Sequence, residues 1–143
     1  MKISTRGRYA IRVMLDLAEH NNGEYIPLMD IAKRQEISEK YLESIVSVLS
    51  KNGLLMSLRG KGGGYRLAKP PEFYTIGMIL HLTEGSLAPV ACLENEQYVC
   101  PRITKCKTLK MWKDFARTVN DFFDGITLAD LLEEGFDGGD YVI

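Results

Sequence analysis

The tightest constraint in this chain lies in residues 37–67. There a helical stretch, ISEKYLESIVSVLSKNGL, runs into two short apolar runs joined by a basic, glycine-rich turn. Leu42, Ile45, Val46 and Leu49 recur at helical spacing and form one apolar stripe. Lys40, Glu43, Ser44 and Ser47 are two residues out of phase, about 200° round at 3.6 residues per turn, and form a short polar stripe. Ser38 is a good N-cap for this helix, and Asn52-Gly53 is a pair suited to ending it. LLMSLR and YRL then read as two strands joined by Gly60-Lys61-Gly62-Gly63-Gly64.

Two helices precede that unit. Ala10, Val13, Met14, Leu17 and Ala18 repeat at helical spacing, and the pattern stops at Asn21-Asn22-Gly23. Ile26-Pro27 opens a second, short helix through Arg34, with Leu28, Ile31 and Ala32 inward. The order helix, helix, turn, helix, basic hairpin describes a winged helix-turn-helix. A short polar face that can hydrogen-bond suits base edges in a major groove. Glycines keep the hairpin slim, so Arg59, Lys61 and Arg66 can approach phosphates or a minor groove. The DNA-binding candidates on the third helix are Ser38, Lys40, Tyr41, Glu43, Ser44 and Ser47. Those on the wing are Arg59, Lys61, Gly62, Gly63 and Arg66. Tyr9 and Tyr65 read as packing between the first helix and the wing rather than as stacking platforms.

A nucleotide-binding loop fails on spacing. A P-loop ending at Gly60-Lys61 needs glycine where Leu55 stands and Ser or Thr where Gly62 stands. A dinucleotide fingerprint needs a helix after the glycines, and YRLAKPP is not one. No nucleophile with a base, acid/base pair or complete hydrolytic metal triad is visible, so the chain reads as a non-enzyme.

Charge divides the chain. Residues 1–69 carry twelve Lys and Arg against seven Asp and Glu, and residues 70–143 carry six against twelve. A basic first half suits a polyanion and an acidic second half does not. The sign changes at Pro70-Pro71, which sets the expected division: a DNA-binding domain over 1–69, and a sensor loop with a dimerisation region over 70–143. Thr75 caps a helix from Ile76 to about Glu84, on which His81 reads as a surface residue. Beyond an irregular loop, Leu109, Trp112, Ala116, Val119 and Phe123 are spaced 3, 4, 3, 4 along a long helix, the pattern of a dimerisation seam. Gly125 ends that helix, Thr127 caps LADLLEE, and GFDGGDYVI reads as a loosely held tail. The expected fold class is mostly α with a small β-hairpin wing, plus a long C-terminal dimerisation helix. No apolar run approaches the roughly 20 residues of a membrane span, and MKISTRGRYA lacks a signal peptide's apolar stretch, so a cytoplasmic homodimer is expected.

The three cysteines, Cys92, Cys100 and Cys106, fall within fifteen residues, two in the loop and the third at the start of the long helix. Their spacing, C-x7-C-x5-C, lacks the tight pair usual in structural zinc sites and the C-x-x-C of thioredoxin-like chemistry. It leaves three readings open: an iron–sulfur cluster with a fourth ligand from elsewhere, zinc or a thiol sensor, and unliganded thiols.

MKISTRGRYA, ISEKYLESIVSVLSKNGL, RGKGGGYRL and TLADL together resemble the Rrf-type winged-helix regulators over nearly the whole chain. That group includes regulators of iron–sulfur cluster assembly, of nitric-oxide response and of cysteine metabolism. The resemblance implies a homodimeric repressor with crossed long helices, bound to a palindromic operator in double-stranded DNA. It implies base contacts at Lys40, Glu43 and Ser44 and a minor-groove contact at Arg59. It also implies that Cys92, Cys100 and Cys106 hold a 2Fe-2S or 4Fe-4S cluster. The cluster-assembly regulator has five residues between its first two cysteines, against seven here. Its histidine three residues after the last cysteine is replaced by Leu109, and an acidic ligand used by other members is replaced by Arg8. The fourth ligand is therefore unassigned among Glu94, Glu96, another side chain or an exogenous thiol, which implies a labile cluster lost on aerobic purification. The alternative is cluster-free control of sulfur metabolism through a protein partner, thiol oxidation or zinc.

Overall fold

The computed structural model describes residues 1–134, so the tail GFDGGDYVI lies outside the described residues. Six α-helices and one hairpin follow in order: α1 Thr5–Glu19, α2 Leu28–Gln35, α3 Glu39–Lys51, β1 Leu55–Leu58, β2 Gly64–Leu67, α4 Ile76–Glu84, α5 Leu109–Asp124 and α6 Leu128–Glu134.

Helix α1 begins at Ser4, whose hydroxyl accepts from the Gly7 N–H at 3.0 Å. Its expected apolar face is inside: Ala10, Val13 and Met14 are fully buried and Leu17 and Ala18 nearly so. Asp16, which the apolar pattern does not mark, is also buried. Arg34 of α2 grips its carboxylate through Nε at 3.0 Å and a second nitrogen at 2.7 Å, and Gln35 Nε2 donates at 2.9 Å. These bonds satisfy a buried carboxylate that would otherwise be costly, and they fix α2 against α1.

The turn between α2 and α3 is made by Glu36, the one non-glycine with positive φ among the described residues, at 55°. Ile37 behind it is buried and its N–H returns to the Ala32 carbonyl at 3.1 Å. Helix α3 is capped by Ser38 as expected, its hydroxyl accepting from Tyr41 N–H at 3.2 Å. It ends at Gly53, φ 78°, where Leu54 N–H bonds the Leu49 carbonyl and Gly53 N–H bonds that of Ser50. This paired return closes the helix and buries Leu54 beneath it.

Strands β1 and β2 pair antiparallel with Leu55 opposite Leu67 and Leu58 opposite Gly64. The hairpin is tied to the segment before α2 by two bonds between Ile26 and Tyr65, both 2.9 Å. Gly64 permits this: a methyl there would overlap the Ile26 carbonyl. Tyr65 is thus part of a third, one-residue bridge. Tyr9 meets Tyr41 of α3 edge-on, centroids 5.7 Å apart.

The core does not break at Pro70-Pro71. Tyr74, Ile76, Ile79, Leu80, Leu87 and Leu128 belong to the same buried cluster as the α1 and α3 stripes, and both α4 and α6 pack on α1. Thr75 caps α4 by accepting from Met78 N–H at 3.1 Å, and His81 is exposed. Thr127 and Asp130 exchange cap bonds at 2.9 and 3.0 Å to start α6.

Buried Tyr74 bolts the wing to this second half. Its hydroxyl donates to the Leu54 carbonyl at 2.7 Å and accepts from Lys69 N–H at 2.9 Å, and burial pushes its phenol pKa up. Tyr74→Phe removes both bonds and strands the Lys69 N–H, while the Leu54 carbonyl keeps the Ala68 N–H at 3.3 Å, so unfolding stability should fall by about 1–3 kcal/mol in a urea titration. An unchanged midpoint would show that the bolt carries no stability.

Candidate nucleic-acid interface and cysteine loop

The outer face of α3 carries Lys40, Glu43 and Ser44 exposed and Ser47 half-buried, as the two-residue phase shift requires. Antiparallel pairing places β1 beside it, and a concavity of about 310 Å³ opens between them. Glu43, Ser47, Ser50, Lys51, Ser57, Leu58, Arg59 and Tyr65 line it. A second hollow of about 410 Å³ lies between the starts of α2 and α3 and the wing, lined by residues including Glu39, Glu43, Gly60, Gly63 and Gly64. Glu43 faces both. Lys61 and Gly62 are exposed at the wing tip and Gly63 is half-buried.

Two expected residues are occupied within the protein. Tyr41 is half-buried against Tyr9, and its carbonyl accepts from the Ser44 hydroxyl at 2.8 Å. Arg66, next in sequence to Tyr65, points by strand alternation to the other face of the hairpin. There it donates to the Gly23 carbonyl at 2.9 Å and covers the Tyr25 ring at 4.7 Å, bracing the wing. Conversely, Ser50, Lys51 and Ser57 join the concave surface without having been singled out. Lys51 continues the Lys40–Ser44–Ser47 face by one more turn, so helical phase alone could have found it.

In the segment between α4 and α5, single turns at Ala91–Leu93 and Ile103–Lys105 are the only helical pieces. Cys92 and Cys100 are half-buried; Cys106 is exposed and stands three residues before α5 rather than on it. Cys92 borders a cavity of about 600 Å³ with Glu94, Glu96, Tyr98, Leu109 and Lys113 among its walls. The Thr108 hydroxyl, 3.4 Å from the Cys106 sulfur, holds that thiol below the ordinary cysteine range, helped by the Thr108 backbone N–H. Thiolate donors in one loop fit an iron–sulfur cluster or zinc in kind. Among the described residues no three His, Cys, Asp or Glu side chains converge on one metal position, so the fold of the single chain does not itself gather the cysteines.

Helix α5 has no fully buried residue. Of the expected seam, Val119 and Phe123 pack on the protomer's own core, because α4 lies against that half of the helix. The exposed apolar residues are instead Met111, Phe115 and Phe122, at 53, 42 and 62%. Each directly precedes a seam residue (Trp112, Ala116, Phe123), so this stripe is turned by about 100°. No helix of the described residues is long and apolar enough to cross a membrane.

A buried helix-turn-helix, a polar outer face on α3 and a slim basic hairpin beside it define a transcriptional regulator of the winged-helix kind. The chain belongs to the Rrf2 family, described as iron-dependent transcriptional regulators, which it matches over residues 3–134. It is 41% identical over 132 residues to the HTH-type transcriptional regulator IscR of Aliivibrio salmonicida, covering 92% of this chain and 77% of that protein. Among solved structures it is similar to CymR, the global cysteine regulator of B. subtilis, at 34% identity and TM-score 0.78. That likeness covers 95% of this chain and 99% of that one. It is also similar to T. potens IscR, at 34% identity and TM-score 0.73, covering 100% of this chain and 94% of that one.

Proposed function

We propose that this regulator is a homodimeric repressor that reads a palindromic operator and senses iron–sulfur or redox status through its cysteine loop. The observation that carries the reading is the placement of three cysteines in the α4–α5 segment of a chain so similar to IscR. Lys40, Glu43, Ser44 and Ser47 face base edges, with Ser38 at the helix start. Arg59 enters the minor groove, and Lys61 approaches phosphate at the wing tip. Arg66 and Tyr41 act behind them by holding the wing and α3 in place. Cys92, Cys100 and Cys106 would hold an iron–sulfur cluster, whose gain, loss or oxidation is the chemistry that reports cellular iron–sulfur status. The fourth ligand is unassigned, and partial ligation makes the cluster labile.

A second reading is control by thiol oxidation, zinc or a protein partner in sulfur metabolism. It is favoured by the likeness to the B. subtilis cysteine regulator and by the exposed, acidified Cys106 thiol. Anaerobic purification with a visible spectrum and iron and acid-labile sulfide assays separates the two. Under the cluster reading the protein is coloured, and replacing any one cysteine by serine removes the chromophore and changes operator affinity. Colourless protein after reconstitution, with operator affinity indifferent to the three substitutions, would sink it.

On the DNA side, Lys61→Ala should weaken binding equally on all duplexes and lower the slope of log affinity against log salt by about one for each protomer bound. Arg59→Ala should weaken binding and relax any preference for a narrow, A·T-rich minor groove. Wild-type affinities for both variants across the titration would refute the wing's role.

The Met111–Phe115–Phe122 stripe supports α5 as the dimer helix, since a partner's stripe would cover it. Phe115→Asp places a charge in that contact and should yield monomers in sedimentation velocity runs. Retention of the dimer mass would place the interface elsewhere.

A further inference from the structure

Outside the surface already described, one run of positive charge stands at the start of the chain. Lys2, Arg6, Arg8 and Arg12 fall within twelve residues that include no Asp or Glu. Arg12 is fully engaged: Nε donates to Gln35 Oε1 at 3.1 Å, its terminal nitrogen donates to the Gln35 carbonyl, and the guanidinium stands 5.0 Å from the Tyr9 ring. Arg8 leans back on the Thr5 hydroxyl at 3.1 Å. Arg6 alone crosses to α3, where it donates to the Ser44 carbonyl at 3.4 Å. That one long bond leaves most of its five N–H donors free, beside the exposed Ser44 on the outer face of α3. Arg6 has no ion-pair partner among the described residues.

The turn that carries Arg6 is held from α4. Glu84, the last residue of that helix, accepts from the Ser4 hydroxyl at 2.5 Å and from the Ser4 N–H at 3.2 Å. The same hydroxyl caps α1 through Gly7. Gly7 is buried against this carboxylate, and a methyl there would overlap it. The start of α1 is therefore already satisfied by a carboxylate, which leaves Arg6 and Arg8 as the cations of that turn without an ion pair among the described residues, and of the two Arg6 is the one set against α3. Immediately after Glu84 the chain turns at Gly85, φ 77°, into the segment that bears the cysteines.

We propose that Arg6 is a third DNA-contacting element, a phosphate contact flanking α3. The Glu84–Ser4 clamp holds it there, so a residue at the mouth of the cysteine loop sets the strength of DNA binding. The proposal rests on the DNA-reading surface assigned above. A side chain on α1 that lies alongside the recognition helix stands beside the groove, at the height of the sugar–phosphate backbone, so its contact is with phosphate rather than with a base.

The test is a salt titration of the full chain on two duplexes: one selected by the wild-type protein from a random pool, and a scrambled duplex of equal length. Arg6→Ala should weaken both by the same factor and lower the salt slope by about 0.9 for each protomer bound, whereas Arg6→Lys should keep the slope. Glu84→Ala should reproduce the loss seen for Arg6→Ala, and the double variant should lose nothing further. Urea midpoints verify that each variant is folded, and the charge-conserving Arg6→Lys separates charge from fold. An unchanged slope in folded Arg6→Ala overturns the contact, and additive losses in the double variant overturn the clamp. Silence at Arg6 beside a clear Lys61→Ala effect sinks this inference alone; silence at Arg59, Lys61 and Arg6 together sinks the DNA-reading surface itself.

Discussion

Helix α1 is the wall on which the rest of the molecule is hung. Its buried residues Val13, Met14 and Leu17 are shared by α2, α3 and β2 on one side and by α4 and α6 on the other. Burying an aliphatic side chain fully is worth about 1.5–3 kcal/mol. One continuous face therefore commits both ends of the sequence to a single core. A close-packed interior transmits displacement rather than absorbing it, so a displacement of α3 or of α4, which leads into the cysteine loop, is felt by α1.

Polar groups decide the angles within that core. The Asp16–Arg34–Gln35 cluster fixes how α2 meets α1, and hence where the turn at Glu36 delivers α3. The pair adds little net stability because Asp16 loses its water to make it, but a pair with two parallel bonds permits only one alignment. Tyr74 does the same for the wing, since its hydroxyl serves backbone on both sides of the hairpin. A recognition surface needs its residues held to within a fraction of an ångström, and these bonds supply that from behind.

The second half of the chain is arranged oppositely. From residue 88 to the end of α5 no residue is fully buried, and the apolar surface of α5 is turned outward. A single protomer thus gives the cysteine segment little to pack against, consistent with thiols that do not converge.

Helical phase, caps and turn chemistry are local, and they were legible. The α1 and α3 stripes, Ser38, Thr75 and Thr127 as caps, Gly53 as a stop and the wing hairpin all follow from residues within a few positions of one another. The polar outer face of α3 follows too, because burying one stripe exposes its opposite. Choices that depend on what a distant element brings were not legible. Tyr9, expected to pack toward the wing, meets Tyr41 of α3, and Arg66 is turned behind the hairpin toward Gly23 and Tyr25. Asp16 found its cation eighteen residues away. The apolar residues of α5 spell a seam in one dimension, but α4 covers half of it and leaves a different stripe outside. Ser4 and Glu84, eighty residues apart and joined by a 2.5 Å bond, had no common signal at all. Periodicity says which side of an element avoids water; only the packed chain says which neighbour arrives to cover it.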